Sequence, residues 1–341
     1  MKSKTMKRYN FLLAAIMLIM PIMAVNNPKN VIVIIGDGMG LNQICTLDSP
    51  NNFERAQAIG LSKTYSANSP VTDSAAGGTA IACGIKTNNG MLGLSQDSIP
   101  VKSILTILKE NNFSTGIVVS CRINHATPAA FYAHQPNRSM DSAIVSDLYK
   151  SNIDLIVGGG AKFVSTDSLK NLGYEICNNL DDLKSVKKAG KTICLLAKED
   201  MPVAEQRKDT IPQAVQQALR VLSQNKKGFF LMIEASQIDW ACHANNAQHL
   251  KTEVQDINAV LGTCMDFADK NPGTLIIVTA DHETGGVSLL GNEKEYHFST
   301  GKHTGVMVPI YSYGTGAGNF SKIQENSEFK NKILDLMHIS K

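Results

Sequence analysis

The stretch from Leu275 to Gly286 reads L-I-I-V-T-A-D-H-E-T-G-G, a short apolar run that halts at the adjacent pair Asp281 and His282. A carboxylate and an imidazole are ligand types that zinc takes. The β-branched run lies between Pro272-Gly273 and Gly285-Gly286, so it predicts a strand that presents both groups at the mouth of a sheet. Val31-Ile32-Val33-Ile34-Ile35-Gly36-Asp37-Gly38 repeats the design, with glycines that let the chain turn sharply after the strand. Phe229-Phe230-Leu231-Met232-Ile233-Glu234 repeats it again, and Asp239 and His243 follow at a spacing of four. With His303 added, four carboxylates and three imidazoles stand at strand ends or just beyond them. That inventory suits more than one metal ion.

A second stretch, Val71-Thr72-Asp73-Ser74-Ala75-Ala76-Gly77-Gly78-Thr79-Ala80, predicts a helix start that a ligand can approach closely. Backbone N–H groups at such a start favour an anion. A serine placed there beside a divalent metal can lose its proton and attack phosphorus. On local sequence alone, an ordinary N-cap serine is the alternative reading of Ser74.

The elements that must hold these groups alternate along the chain. Strands are predicted at Val31–Ile35, Gly116–Ser120, Asp154–Val157, Phe229–Ile233, Leu275–Thr279 and Val306–Tyr311. Helical periodicity runs through Val101–Lys109, Ile211–Gln224 and Ala247–Asp269, the last with Leu250, Val254, Ile257, Leu261, Cys264 and Ala268 down one face. Alternating β and α predicts an α/β three-layer sandwich, a large and mostly parallel central β-sheet flanked by helices. Ligands of such sheets bind at the carboxyl ends of the strands, where the acidic and histidine residues fall. Ala161 to Arg207 is more charged and less periodic, and is expected as a peripheral insertion over the sheet edge.

With 341 residues and no Pro/Ser-rich linker, the chain reads as one large domain over residues 25–341. Residues 1–24 differ: Lys2, Lys4, Lys7 and Arg8 precede the apolar stretch Phe11 to Met23, and Ala24 offers a small residue for cleavage. This is the pattern of a secretory signal peptide, too short for a stable membrane span, and it predicts a periplasmic or secreted protein. Without that segment, 29 basic residues face 30 acidic ones. No basic stripe remains for nucleic acid. Seven cysteines with no C-x-x-C exclude a zinc ribbon and a full disulfide framework, though one or two bridges stay open. Cys242 beside His243 is read as a small buried residue.

Taken together, Asp37 in I-I-G-D-G-M-G, Ser74 in T-D-S-A-A-G-G-T-A, K-T-N-N-G at Lys86 to Gly90, T-A-D-H-E-T-G-G and H-T-G at His303 to Gly305 occur in one order. From about Asn30 to the C-terminus the chain resembles an alkaline phosphatase of the metal-dependent, serine-nucleophile kind, in a short bacterial form. The resemblance implies a secreted phosphomonoesterase that works through a phosphoserine, with two zinc ions and one magnesium ion. It further implies that Asp281, His282 and Asp37 hold the zinc that activates Ser74, and that Asp239, His243 and His303 hold the second. Asp37, Thr127 and Glu234 would make the magnesium site, and Arg138 would grip two phosphate oxygens at once. Its partners would be phosphate monoesters and inorganic phosphate. The segments around the site are compact, which leaves open whether the chain shares the dimer of larger relatives.

Where some family members carry an Asp and a Lys, this sequence has His125 and Trp240. Imidazole is a poorer partner than carboxylate for hydrated magnesium, so the third site is expected to retain magnesium weakly, with zinc competing. A missing lysine implies easier phosphate release. A phosphodiesterase, and a zinc- or phosphate-binding protein without activity, are the competing readings. A sulfatase-type nucleophile would need Pro and Arg after it, which Ser74-Ala75-Ala76 lacks, and G-x-S-x-G is absent.

Overall fold

A computed structural model of the chain describes residues 27–291 and 295–340. The segment read as a signal peptide lies outside the described residues. No helix among the described residues is long and apolar enough to cross a membrane.

The central strand is β1 (Asn30–Gly36), buried along its whole length. Val31, Val33 and Ile35 face one apolar core, and Ile32 and Ile34 face the other. A strand covered on both sides needs no polar alternation, which is why its sequence is an unbroken apolar run. It joins β2 (Ala58–Lys63), β3 (Ser114–Arg122), β4 (Leu155–Gly159), β5 (Glu175–Cys177), β6 (Thr192–Leu195), β7 (Phe229–Ala235), β8 (Thr274–Thr279), β9 (Val308–Gly314) and β10 (Ile323–Glu325). The ten strands form one sheet in the order β10-β2-β9-β8-β1-β7-β3-β4-β6-β5. Only β9 runs antiparallel to its neighbours.

Helices cover both faces. α1 (Ser74–Cys83), α2 (Ile104–Glu110), α3 (Asp141–Lys150) and α7 (Phe329–Leu336) close one core. α4 (Thr210–Leu222) and α6 (Ala247–Lys270) close the other, while α5 (Gln237–His243) sits beyond the end of β7. All six residues of the stripe predicted on α6 are buried. The α/β three-layer sandwich is therefore the architecture of the chain.

Three local differences have physical causes. The helix expected from Val101 starts at Ile104, because the Ser103 side chain accepts the Thr106 N–H at 3.1 Å and caps it there. The strand expected at Val306 starts at Val308, since Val306 and Met307 point to solvent ahead of the pairing with β2 and β8. The stretch from Ala161 to Arg207 does not lie over the sheet edge. It builds that edge, because β5 and β6 extend the sheet beyond β4. All seven cysteines carry free thiols, Cys45 exposed and the rest buried.

Register is what assembles the site. Ile35 on β1 stands opposite Glu234 on β7 and Thr279 on β8. The three strands consequently end level, and Asp37, Glu234 and Asp281 emerge side by side.

Candidate active site

Two glycines allow the loops above these strands to close. Gly38 has φ of +71°, and a Cβ there would lie 2.9 Å from Asp239 Cα. A Cβ on Gly77 would meet the Asp281 carbonyl oxygen at 2.9 Å. Glycine at position 77 thus lets α1 pack against the Asp281 loop, which carries Ser74 to the ends of the strands.

His282 Nε2 lies 3.3 Å from Asp281 Oδ2, 3.4 Å from Asp37 Oδ1 and 3.3 Å from Ser74 Oγ, and all four residues are buried. Its tautomer follows from the other ring nitrogen. Nδ1 is 3.2 Å from Thr284 Oγ1, whose single proton is donated to Asp239 Oδ1. Nδ1 must therefore carry the hydrogen, which leaves the Nε2 lone pair facing two carboxylates. A serine–histidine–aspartate triad would place its carboxylate on the opposite nitrogen, so this arrangement is a ligand set and not a charge-orienting triad.

The second cluster shows the same signature. His243 Nδ1 is 2.8 Å from the Gly301 carbonyl, and His303 Nδ1 is 2.9 Å from the Thr72 carbonyl. A carbonyl only accepts, so both Nδ1 atoms donate, and whenever the rings are neutral both Nε2 atoms present lone pairs. Those two Nε2 atoms stand 3.1 Å apart, with Asp239 Oδ2 3.3 Å from one and Oδ1 3.5 Å from the other. Two lone pairs and a carboxylate converging on one point call for a cation. The His303 ring also stacks on His282 with centroids 3.6 Å apart, joining the two clusters.

On the far side of Asp37 lie Glu234, Thr127 and His125. Asp37 Oδ1 and Oδ2, Asp281 Oδ2, Glu234 Oε1, Thr127 Oγ1 and His125 Nδ1 are all buried without a hydrogen-bond partner. Orphaned polar atoms at such density are costly unless a ligand satisfies them. Burial, followed by the Asp281, Asp239 and Glu234 charges, holds the Asp37 carboxyl well above its ordinary range. Burial and then the Asp281 charge push Glu234 up to about 7, and burial and then Asp239 raise Asp281 to about 6. Burial lowers His282 to about 4 and His125 to about 3. Asp239 is the exception: burial would raise it, but hydrogen bonds from His243 and Thr284 and the neighbouring imidazoles outweigh that and hold it low. The donors thus fit divalent cations in type, tautomer and burial.

The other wall of the site is built on α1. Ser74 is not the helix cap. Asp73 is, its Oδ1 accepting the Ala76 N–H at 3.0 Å while its Oδ2 receives Arg138 Nη1 at 3.2 Å. The K-T-N-N-G segment braces this loop, for Asn89 Oδ1 accepts the Asp73 N–H and Gly90 N–H reaches Asp73 Oδ2 at 3.0 Å. Arg138 is anchored by its own N–H to the Gly90 carbonyl. One acidic residue therefore starts the serine's helix and orients the arginine beside it.

The residues singled out from sequence gather here: Ser74, Arg138, Asp37, Thr127, Glu234, Asp239, His243, Asp281, His282 and His303. Trp240 stands edge-on to His125, with ring centroids 6.0 Å apart. His134 and His249 lie elsewhere, facing the Val101 carbonyl and Glu253. Cys242 is buried against Gln43 and joins no donor cluster among the described residues. Sequence reasoning missed Asp73 and Thr284. Only Asp73 left a local signal, as an acidic residue immediately before a helix of small residues.

The sequence matches the alkaline phosphatase family over residues 28–297. This chain belongs to the alkaline phosphatase family. It is 38% identical over 299 residues to alkaline phosphatase 4 of Bacillus subtilis (strain 168), covering 79% of this chain and 64% of that protein. Alkaline phosphatase 3 of the same organism is 35% identical, with coverage of 76% and 62%. The chain spans less than two thirds of the length of these curated relatives. Among solved structures, alkaline phosphatase from the Antarctic bacterium TAB5 superposes with a TM-score of 0.88 at 40% identity, covering 92% of this chain and 100% of that one. A mutant of the TAB5 enzyme, with Mg bound in its M3 site, gives 0.88 at 39% identity, over 93% and 99%. Membership of this family and the convergent donors make the chain a metal-binding protein.

Proton competition sets the pH dependence of that binding. His243 is raised to about 9, first by its hydrogen bond to Asp239, so at neutral pH a proton occupies the place a cation would take. Protons on Asp281, Glu234 and His243 must leave as metal enters, which makes affinity rise with pH. Competition titration against a zinc chelator is expected to show affinity rising most steeply below about pH 6, where all three groups hold protons, then less steeply as each deprotonates, and losing their contribution above about pH 9. A flat profile would mean that these groups do not hold the metal.

Proposed function

We propose that this protein is a secreted or periplasmic phosphomonoesterase, its residues 25–341 forming one catalytic domain that converts phosphate monoesters to alcohol and inorganic phosphate. The observation that carries the reading is Ser74 Oγ, buried at the start of α1 and 3.3 Å from the lone pair of His282 Nε2, with Arg138 held beside it by Asp73. A pure binding protein needs no nucleophile in that position.

Zinc fits the two imidazole-bearing clusters, Asp37-Asp281-His282 and Asp239-His243-His303, and magnesium is the family's ion for the oxygen set of Asp37, Thr127 and Glu234. Bound there, the cations would lower the pKa of the serine hydroxyl and of water and neutralise phosphate charge. Arg138 grips two non-bridging oxygens of the phosphoryl group and turns phosphorus toward Ser74. Ser74 Oγ attacks in line, a new O–P bond forms, and the ester P–O bond breaks. The leaving alkoxide ends as alcohol, taking up through solvent the proton that the serine releases. Water then attacks the phosphoserine, the Ser74 O–P bond breaks, and inorganic phosphate and the serine hydroxyl are regenerated. N–H groups at the start of α1 favour the anion throughout. His282, locked by Thr284 and stacked on His303, keeps a fixed orientation between the two donor clusters.

Rates on 4-nitrophenyl phosphate and bis(4-nitrophenyl) phosphate, before and after chelation, test this reading. The monoester is expected to turn over faster, and chelation to abolish activity. A faster diester would make the protein a phosphodiesterase, and full activity after chelation would refute a metal-dependent mechanism.

A further inference from the structure

We infer that Cys121 belongs to the third metal site, which in this chain is a sulfur-, nitrogen- and oxygen-donor site built for zinc. The inference rests on the metallophosphatase reading above and adds to its third site Cys121 and His125, which that reading does not use. Cys121 lies near the end of β3, fully buried, with its Sγ 3.3 Å from Glu234 Oε2. The contact follows from register: Val119 on β3 stands opposite Glu234 on β7, so the end of β3 passes alongside the carboxylate. His125 follows one turn later, and its Nδ1 is buried without a partner. Donor atoms of Cys121, His125 and Glu234 all lie within 4.8 Å of one another. Glu234 Oε1 and Thr127 Oγ1 are unpartnered in the same place.

The chemistry of that set differs from an all-oxygen one. Magnesium takes oxygen ligands and seldom accepts thiolate or imidazole, whereas both suit zinc and cobalt(II). A thiol that coordinates a divalent ion gives up its proton to solvent, so one sulfur–metal bond forms for each S–H bond broken, with no change of oxidation state. A structural role would leave Cys121 as a buried thiol donating to Glu234, and that alternative makes opposite predictions.

Cobalt(II) titration of the full chain, stripped of metal, separates the two. With three ions bound per chain, a thiolate-to-cobalt charge-transfer band is expected in the near ultraviolet at an intensity of one sulfur per chain. Cys121→Ser should lose the band and Cys242→Ser should keep it. Metal analysis after dialysis against equal zinc and magnesium should find zinc as the third ion in the parent. Cys121→Ser should shift the third-site preference toward magnesium by on the order of tenfold or more. Three bound cobalt ions with no band, or a Cys121→Ser variant whose third ion is unchanged, would overturn the inference while leaving the phosphatase reading intact. A chain that binds no cobalt would overturn both. The band is read on the unmodified protein, so the test does not depend on whether a variant folds.

Discussion

Ser74→Ala is expected to lower kcat by on the order of 10³-fold or more while leaving metal content and melting temperature close to the parent's. Two observations support the separation. The helix is capped by Asp73, whose Oδ1 holds the Ala76 N–H, so removing the Ser74 hydroxyl costs α1 no cap. Each donor cluster keeps its own carboxylates and imidazoles, since Ser74 meets His282 Nε2 only through a hydroxyl that no other residue requires. A residual rate from direct attack by water is compatible with this account. A variant that loses zinc and unfolds would make Ser74 structural.

Asp37→Asn is expected to change sign with metal. In the chelated protein Asp37 lies buried among Asp281, Asp239 and Glu234, and burial and these charges raise its pKa. A carboxyl whose folded pKa is raised contributes its stability below the unfolded pKa and loses it as pH rises through the folded value. Replacing it by a neutral amide should therefore raise the melting temperature of chelated protein at alkaline pH, by about 2 °C or more if about 1 kcal/mol is relieved. That advantage should vanish in acid, where Asp37 is protonated in both states. With zinc present the order should reverse, because the parent gains the binding free energy of ions that the variant holds poorly. Activity should fall with the metal. Equal destabilisation with and without zinc would mean that Asp37 serves packing alone.

Much of the site was legible in the sequence because parallel strands buried on both faces announce themselves as unbroken apolar runs, and such sheets bind ligands at the strand ends. Val31–Ile35, Phe229–Ile233 and Leu275–Thr279 all behave this way, and each leads directly to a carboxylate. The edges were harder. β2 alternates buried and exposed residues over a short span, and β5 has only three residues, too few for a period to emerge. Thr284 was invisible because its role is relational: it fixes a histidine two residues away by donating to Asp239, forty-five positions upstream. Cys121 was invisible for a similar reason, since only the β3–β7 register brings it to Glu234. The cap read at Ser74 lies one residue earlier, at Asp73, and the hold of Asp73 on Arg138 left no local trace because that contact spans sixty-five positions.

The central claim is that Ser74 carries the phosphoryl group between substrate and water. Metal-loaded protein turning over 4-nitrophenyl phosphate should be quenched in acid, digested and examined by peptide mass spectrometry. The account predicts one added phosphoryl group on the peptide containing Ser74, absent without substrate and absent in Ser74→Ala. An active enzyme whose phosphoryl group is found on another residue, or that turns over with Ser74 never modified under quench conditions that preserve phosphoserine, would contradict it.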